Sequence, residues 1–505
     1  LVRKAGVDIS VLGLAGLIML PLVIRIIIAI YKKDNDHDFK LPILLSLWIV
    51  STIFASIKGI RFTLLLAPAF SVAFGVAFGR IYEYVSGALT KGLKIHKAIA
   101  SGILIIVLLS VYVSPTRAAI RSAGADVPIV NDAWYNTLTA IKKDSKPDAI
   151  ITSWWDFGHH FKYIADRPVT FDGTTQVYPP AHWVGKLLMT DDERQAFGII
   201  RMLDCGGAFN PLNDFINNPH TSLKIINKII LLDKAGAENE LGKNSLDKNQ
   251  IENVIKYTHC VPPEGYLIAS EDMIGKSGVW SHFGSWNFER ADIWQNARKM
   301  PQEDAVKYMA DNFNYTRDRA ESTYFEIQAI GSDSEANTWI APWPGYGGEI
   351  TCRKNKEGLF VCSPLGVGNN VALVFNINMT DYDVYAKFQD NIYRPSSAAF
   401  VTKEGVFKKK FEETTTGHGM TIIPQSKDEV KAVISSNELT GSIFTRMFYM
   451  QGHGLKYFDL ISHQRGLTGT DIYTYKVDWD GKNTTIVKEY ADFFKEPAEE
   501  PVLTE

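Results

Sequence analysis

Apolar residues crowd the first part of this chain and thin out beyond it. Ile9 to Ile30 is apolar except for Ser10 and Arg25, and Leu41–Ala55, Phe62–Phe78 and Ala98–Val113 follow. A membrane-spanning helix needs roughly 20 apolar residues. The first run meets this easily, the second with its flanks, and four such runs exceed what a cleaved signal peptide explains. The pattern predicts four transmembrane helices. Basic residues crowd the loops after the first and third, at Lys32, Lys33, Lys40 and then Arg80, Lys91, Lys94, Lys97. Such loops are cytoplasmic as a rule, so everything after Val113 is expected outside.

From Ser114 onward the pattern is that of a folded soluble protein. It predicts a helix over Asp132–Lys142 and a buried strand over Ala149–Ser153. Thr190-Asp-Asp-Glu193 reads as a capping box opening a helix toward Leu203. A charged helix is expected over Ala235–Lys256, weakened at Gly242, and a strand over Tyr266–Ser270. Helix follows over Ile293–Phe313, after a break at Gly284–Trp286. Short strands between Gly, Asn and Lys turns mark Glu349–Ile423 as β-rich. Val430–Gln464 contains helical stretches, Tyr473–Val477 is a late strand, and the acidic tail from Glu496 looks frayed.

Composition narrows the chemistry. The net charge of −3 argues against nucleic-acid binding. All four cysteines fall in the outer part. Cys352 and Cys362 flank a turn signal between short apolar runs, which favours a cross-strand disulfide. Cys205 and Cys260 would then pair across a longer loop. Without paired Cys-x-x-Cys spacing, no zinc site is expected.

Ser153-Trp154-Trp155-Asp156-Phe157-Gly158-His159-His160 carries the most chemical information. Two indoles need an apolar wall and partners for their N–H groups. On a turn, both can line a pocket while Asp156 offers acceptor oxygens to a Ser or Thr hydroxyl. The stretch resembles the Trp-Trp-Asp-Tyr-Gly signature of the catalytic subunit of oligosaccharyltransferase, with Phe157 in place of the tyrosine. The resemblance is of prokaryotic type and covers the carboxy-terminal part of that polypeptide. It implies an α/β chain: four carboxy-terminal transmembrane helices, then a large mixed α/β external domain with a β-rich insertion. The expected divisions are 1–113 for the membrane helices and 114–345 for an external domain with the acceptor-binding motifs. A β-rich insertion at 346–425 and a carboxy-terminal α/β segment at 426–505 complete it.

Met273, Lys276 and Trp280 have the i, i+3, i+7 spacing of one helical face. They resemble the family's second motif, combining Met and Trp of one form with Lys of another. The resemblance implies that Trp154, Trp155, Asp156, Met273, Lys276 and Trp280 bind the acceptor sequon. Arg61, at the outer mouth of a predicted span, has the planar fork that suits phosphate. Arg61-Phe62 with Pro68 resembles the family's Arg-Phe, which implies a lipid-pyrophosphate contact shared with His159. His159 and His160, with Asp172 and His182, also suggest metal ligation, but adjacent residues on an extended chain face apart. No metal site is expected there. Gln176 falls near where some bacterial members carry a histidine.

The implied function is transfer of a glycan from a polyprenyl- or dolichyl-(pyro)phosphate carrier to Asn of Asn-x-Ser/Thr. The implied partners are a lipid-linked oligosaccharide, an acceptor polypeptide and the membrane, with no nucleic acid. A multi-pass place in the cell membrane is expected, with the large domain periplasmic or extracellular. The family's Mn²⁺ or Mg²⁺ and amide-activating carboxylates belong to external loops preceding this stretch. No catalytic residue or metal ligand is therefore expected here, and this stretch alone is expected to be inactive. Two alternatives are a membrane-anchored carbohydrate- or peptide-binding receptor and a membrane glycosyltransferase with a lipid or hydroxyl acceptor.

Overall fold

The structure is a computed structural model. It describes residues 27, 31, 40–92, 94–177, 179–367, 371–412, 415–467, 469–482 and 484–494. The chain forms two compact units, Leu1–Val127 and Pro128–Glu505.

In the first unit, helices run over Lys40–Lys58, Thr63–Gly92 and Lys97–Ala125. Ala69 and Ala73, one turn apart, pack with Ile49 and let the first two helices approach closely. Phe74 and Phe78 meet Tyr112 edge-on at 5.7 and 5.6 Å and tie in the third. Most large apolar side chains face outward, including Leu64, Leu65, Ile106 and Leu109. Two segments, Ile60–Gly92 and Lys97–Ala125, are long and apolar enough to cross a membrane, and Ile43–Lys58 is a shorter apolar helix. The expected span Ile9–Ile30 lies outside the described residues except for Ile27, which is helical. Four spanning helices are thus reduced to two candidates among the described residues. The third helix also runs on to Ala125, well past the apolar limit at Val113.

The second unit is mixed α/β, with two main sheets and a two-stranded one, Leu365–Val367 with Val371–Leu373. The four-stranded sheet contains β1 (Ile150–Thr152) and β2 (Gly265–Ser270), followed by Asp471–Val477 and then Phe458–Arg465. β1 and β2 are parallel, and the other pairings are antiparallel. Every residue of β2 is buried. Its alternating side chains feed two cores: Leu267 and Ala269 join the main one, Tyr266 and Ile268 the one under helix Asp132–Asp144. The larger sheet has nine strands, from Tyr346–Lys354 to Glu429–Ser436. The Cys352–Cys362 disulfide links neighbouring strands of that sheet, and Cys205–Cys260 bridges two helical ends.

Several expected elements change. Asp192, not Thr190, caps the helix Glu193–Asp204, accepting from the Arg194 N–H at 2.9 Å. Glu193 instead accepts the backbone N–H groups of Lys456 and Tyr457 at 2.6 and 2.7 Å, so tertiary contacts overrode the local box. The helix expected over Ala235–Lys256 is two, Lys234–Gly242 and Lys248–Thr258, the second restarted by an Asp247/Gln250 capping box. Pro301 likewise separates Phe288–Asn296 from Gln302–Phe313. Val430–Gln464 holds the helix Ile443–Tyr449 and the 3₁₀ turn Asn437–Leu439, but they lie between two strands, Glu429–Ser436 and Phe458–Arg465.

Asp204, beside Cys205, is a buried acid in this core. Both carboxyl oxygens are buried without a hydrogen-bond partner, and burial holds the carboxyl well above the usual range. A carboxyl raised in the native state destabilises it increasingly as pH rises above the unfolded value of 3.8. Asp204→Asn should therefore raise the thermal midpoint at pH 7 and leave it nearly unchanged below pH 4. Thermal unfolding of both proteins across that range checks this.

Candidate functional site

β1 and β2 lie side by side in register, with Ile151 opposite Tyr266 and Thr152 opposite Leu267. Their carboxyl ends therefore share one edge, where parallel strands commonly present binding groups. The chain leaving β1 carries the Trp-Trp-Asp segment, and the chain leaving β2 carries Met273–Trp280. Ser153 joins the two: its hydroxyl donates to the Ile268 carbonyl at 2.9 Å and lies 3.6 Å from Met273 Sδ.

Beyond Ser153 the motif splits between the two cores. Trp154 is buried in the main one, edge-on to Phe171 at 5.4 Å. Trp155–Phe157 forms a single 3₁₀ turn, which carries Phe157 into the other core, stacked on Trp134 at 4.4 Å. Trp155 and Asp156, between these anchors, stay half-buried and reach solvent.

Asp156 is held by Lys276. The ammonium lies 2.8 Å from Asp272 Oδ2 and 3.1 Å from Asp156 Oδ1. It also sits 5.5 Å from the centre of the Phe157 ring. Asp272 in turn accepts from the Ser270 hydroxyl at 2.6 Å. Desolvation lowers the affinity of Lys276 for its proton, but the hydrogen bonds and charges of Asp272 and then Asp156 outweigh it, and the ammonium is raised above 10.5. The other oxygen of Asp156, Oδ2, is buried with no hydrogen-bond partner. One carboxylate is thus oriented by a cation and left with an unused acceptor.

The glycine of the motif has a steric reason. A Cβ on Gly158 would meet Asp172 Cβ at 2.6 Å and the Phe171 carbonyl oxygen at 2.8 Å. Only glycine lets the turn lie against the 171–176 loop. Asp172 anchors that loop: it accepts from Lys162 at 2.5 Å and from the Thr174 N–H and hydroxyl at 2.9 and 2.6 Å. Burial opposes ionisation of Asp172, yet these donors push its carboxyl strongly below the usual range.

Met273, Lys276 and Trp280 do not share one continuous helix. It breaks at Lys276, between Asp272–Gly275 and Ser277–Gly284. Met273 and Trp280 are buried, and the Trp280 indole N–H donates to the Met273 carbonyl at 2.8 Å. Of the three, only Lys276 stands beside Asp156 with access to solvent. His159 is half exposed, 3.6 Å from Asp172. Gln176 bonds back to the Gly173 carbonyl. His182 turns its Nδ1 to the Phe283 carbonyl at 2.9 Å, so it is not gathered with His159 and His160. Arg61 is exposed in the 3₁₀ turn Ile60–Phe62 of the first unit, with no ion pair among the described residues. The described residues bring no three His, Cys, Asp or Glu side chains together in a metal-holding group. Sequence reasoning passed over Asp272 as a site residue, although its i, i+4 spacing from Lys276 was the available signal.

The site so defined is a carboxylate held by a lysine at the edge of an α/β sheet, and the chain is similar to several named proteins. Over 93% of its length the chain is 26% identical to the Dolichyl-phosphooligosaccharide-protein glycotransferase of Methanocaldococcus jannaschii, covering 53% of that protein. The protein of the same name from Methanococcus voltae is 27% identical over 62% of the chain and 42% of its own length. Glycotransferase 2 of Pyrococcus horikoshii matches 31% of the chain at 27% identity, over 19% of its own length. The resemblance to the oligosaccharyltransferase catalytic subunit therefore extends over most of this chain, which spans about half the length of the Methanocaldococcus jannaschii protein. No family model matches. Among solved structures, the C-terminal domain of C. jejuni PglB covers 68% of this chain and 99% of its own, at 12% identity and a TM-score of 0.32. A likeness at that score carries no argument.

Two outcomes test this geometry. Gly158→Ala should lower stability by about 1–3 kcal/mol through overpacking, read from thermal unfolding. Lys276→Met should lower the thermal midpoint at neutral pH. The raised ammonium stabilises fully below 10.5 and its contribution is lost as pH rises through its folded value. The gap between the two proteins should therefore close in alkaline solution.

Proposed function

We propose that this chain forms the acceptor side of an asparagine-linked oligosaccharyltransferase. The observation that carries the reading is Asp156, with one oxygen on Lys276 and the other buried without a partner. A peptide Ser or Thr hydroxyl supplies the missing donor at a position where water is poorly admitted. Trp155 flanks that position, while Trp154, Met273 and Trp280 form the packed wall behind it. These six residues act as the sequon-binding set, with only Trp155, Asp156 and Lys276 within reach of the peptide. The names of the archaeal relatives support the same reading.

The first unit supports a membrane setting for this chemistry. Its outward-facing apolar helices need an apolar surrounding, and the protein is multi-pass in the cell membrane with the second unit on the outer side. Arg61 then lies at the outer mouth of a span. Unpaired among the described residues and planar, it binds the pyrophosphate of a polyprenyl or dolichyl carrier, and His159 is a second contact to the lipid-linked donor. Activation of the asparagine amide and metal-assisted departure of the pyrophosphate are assigned to no residue of this chain.

The test is transfer by the full-length protein from a lipid-pyrophosphate glycan to an Asn-Xaa-Thr peptide, read by mass spectrometry. Asp156→Ala should abolish the product. Arg61→Ala should reduce donor use by about tenfold or more, as loss of a charge-assisted contact does, while peptide binding persists. An unmodified peptide would favour a membrane-anchored receptor, and transfer to a hydroxyl or lipid acceptor would favour a different glycosyltransferase.

A further inference from the structure

A cleft on the second unit lies away from the Asp156 position, at the other end of the helix Ser277–Gly284. Two adjoining cavities of about 320 and 580 Å³ form it, sharing His182, His220, Leu223, Trp286 and Phe288. These volumes fall in the range of small-molecule sites. The walls are the helices Pro180–Met189, Pro219–Ile229 and Phe288–Asn296.

The walls are rigid. Gly185 and Gly284 meet backbone to backbone, so a Cβ on Gly185 would fall 2.3 Å from the Trp280 carbonyl oxygen. This crossing packs the helix bearing His182 against the helix that follows Lys276, Ser277–Gly284. The cleft thus begins roughly 12 Å of helix from Lys276, at 1.5 Å per residue.

The lining combines apolar faces with polar groups of defined direction. Trp286 is half-buried, and Phe288, 37% exposed, stands near the rim. Burial pushes His182 down to about 4, so the ring is neutral near pH 7. Its Nδ1 faces the Phe283 carbonyl at 2.9 Å, an acceptor only, and so carries the proton. The Nε2 of that tautomer is an acceptor for a ligand hydroxyl. Asp292 is fixed by Tyr308, Asn296 and His220, and the side-chain amides of Asn213 and Gln295 add donors and acceptors.

Lys224 is paired with Glu289 at 2.8 Å, and His220 lies 3.0 Å from Asp292. Lys186 has no carboxylate partner among the described residues. It bonds the Asn227 side-chain oxygen and lies 5.6 Å from the Trp183 ring centre. Burial lowers its ammonium to about 8. A neutral amide does not repay the desolvation of a cation, and an anion entering the cleft does.

We propose that this cleft binds a saccharide bearing a carboxylate, its ring against Trp286 and Phe288 and its acid group on Lys186. Aromatic faces meet the apolar side of a sugar ring, and the neutral histidine and amides meet its hydroxyls. The cation selects the acidic member of that class. The site is separate from the acceptor position and is read by binding alone, so its failure leaves the transferase reading untouched.

The experiment titrates the full chain in detergent with trigalacturonate and, in parallel, with galactotriose as its neutral counterpart. Calorimetry at pH 7 should show the acidic sugar binding and the neutral one at least about tenfold weaker, the loss expected for one charge-assisted contact. Lys186→Met should abolish that difference, and Lys186→Arg should restore most of it. Phe288→Ala, at the rim, should weaken both sugars together. Absence of trigalacturonate binding at millimolar concentration, equal binding of both sugars, or equal binding by Lys186→Met would overturn the proposal.

Discussion

One lysine ammonium between two carboxylates organises the candidate site. Lys276 lies within 3.1 Å of both Asp272 and Asp156, and its two partners come from different parts of the chain. Asp272 follows β2, while Asp156 follows β1. The pair can form only because the two strands run parallel and adjacent, which brings both exits to one edge. An isolated surface ion pair is worth little. Here the value is orientation, because the contact occupies one oxygen of Asp156 and leaves the other buried and unpaired.

The surrounding fold supports that orientation from both sides. Trp154 and Phe157 sit in separate hydrophobic cores, so the turn between them has little freedom. Ser153 ties the start of the turn to β2, and Gly158 allows its end to press on the 171–176 loop. The break at Lys276 serves the same purpose. A continuous helix would carry the ammonium in line with Met273 and Trp280, whereas the break directs it to Asp156.

The features legible in the sequence share a physical character. The motif after β1, the strand β2, the helix Asp132–Asp144 and the Cys352–Cys362 disulfide rest on local pattern or spacing, Cys205–Cys260 follows as the remaining pair, and each is present. Features set by distant partners were not legible. Glu193 reads as a cap residue but binds backbone more than 260 positions away. Glu429–Ser436 is apolar enough for either period and becomes a strand because sheet neighbours pair on both of its edges. Within the site, i, i+3, i+7 spacing brought Met273 and Trp280 together, but as core. The functional contrast between them and Lys276 depends on a helix break that no single residue type announces.

The most direct measurement concerns the unused oxygen of Asp156. Valine matches threonine in shape and lacks the hydroxyl, so paired Asn-Xaa-Thr and Asn-Xaa-Val peptides isolate that one contact. A site built to receive a hydroxyl rejects the analogue without it. Calorimetric titration should show the Thr peptide bound more tightly by about tenfold, the worth of one buried hydrogen bond to a charged group. Asp156→Ala should bring the two peptides to equal affinity. Equal binding of both peptides by the unaltered protein, or a Thr preference that survives Asp156→Ala, would contradict the role given to this carboxylate.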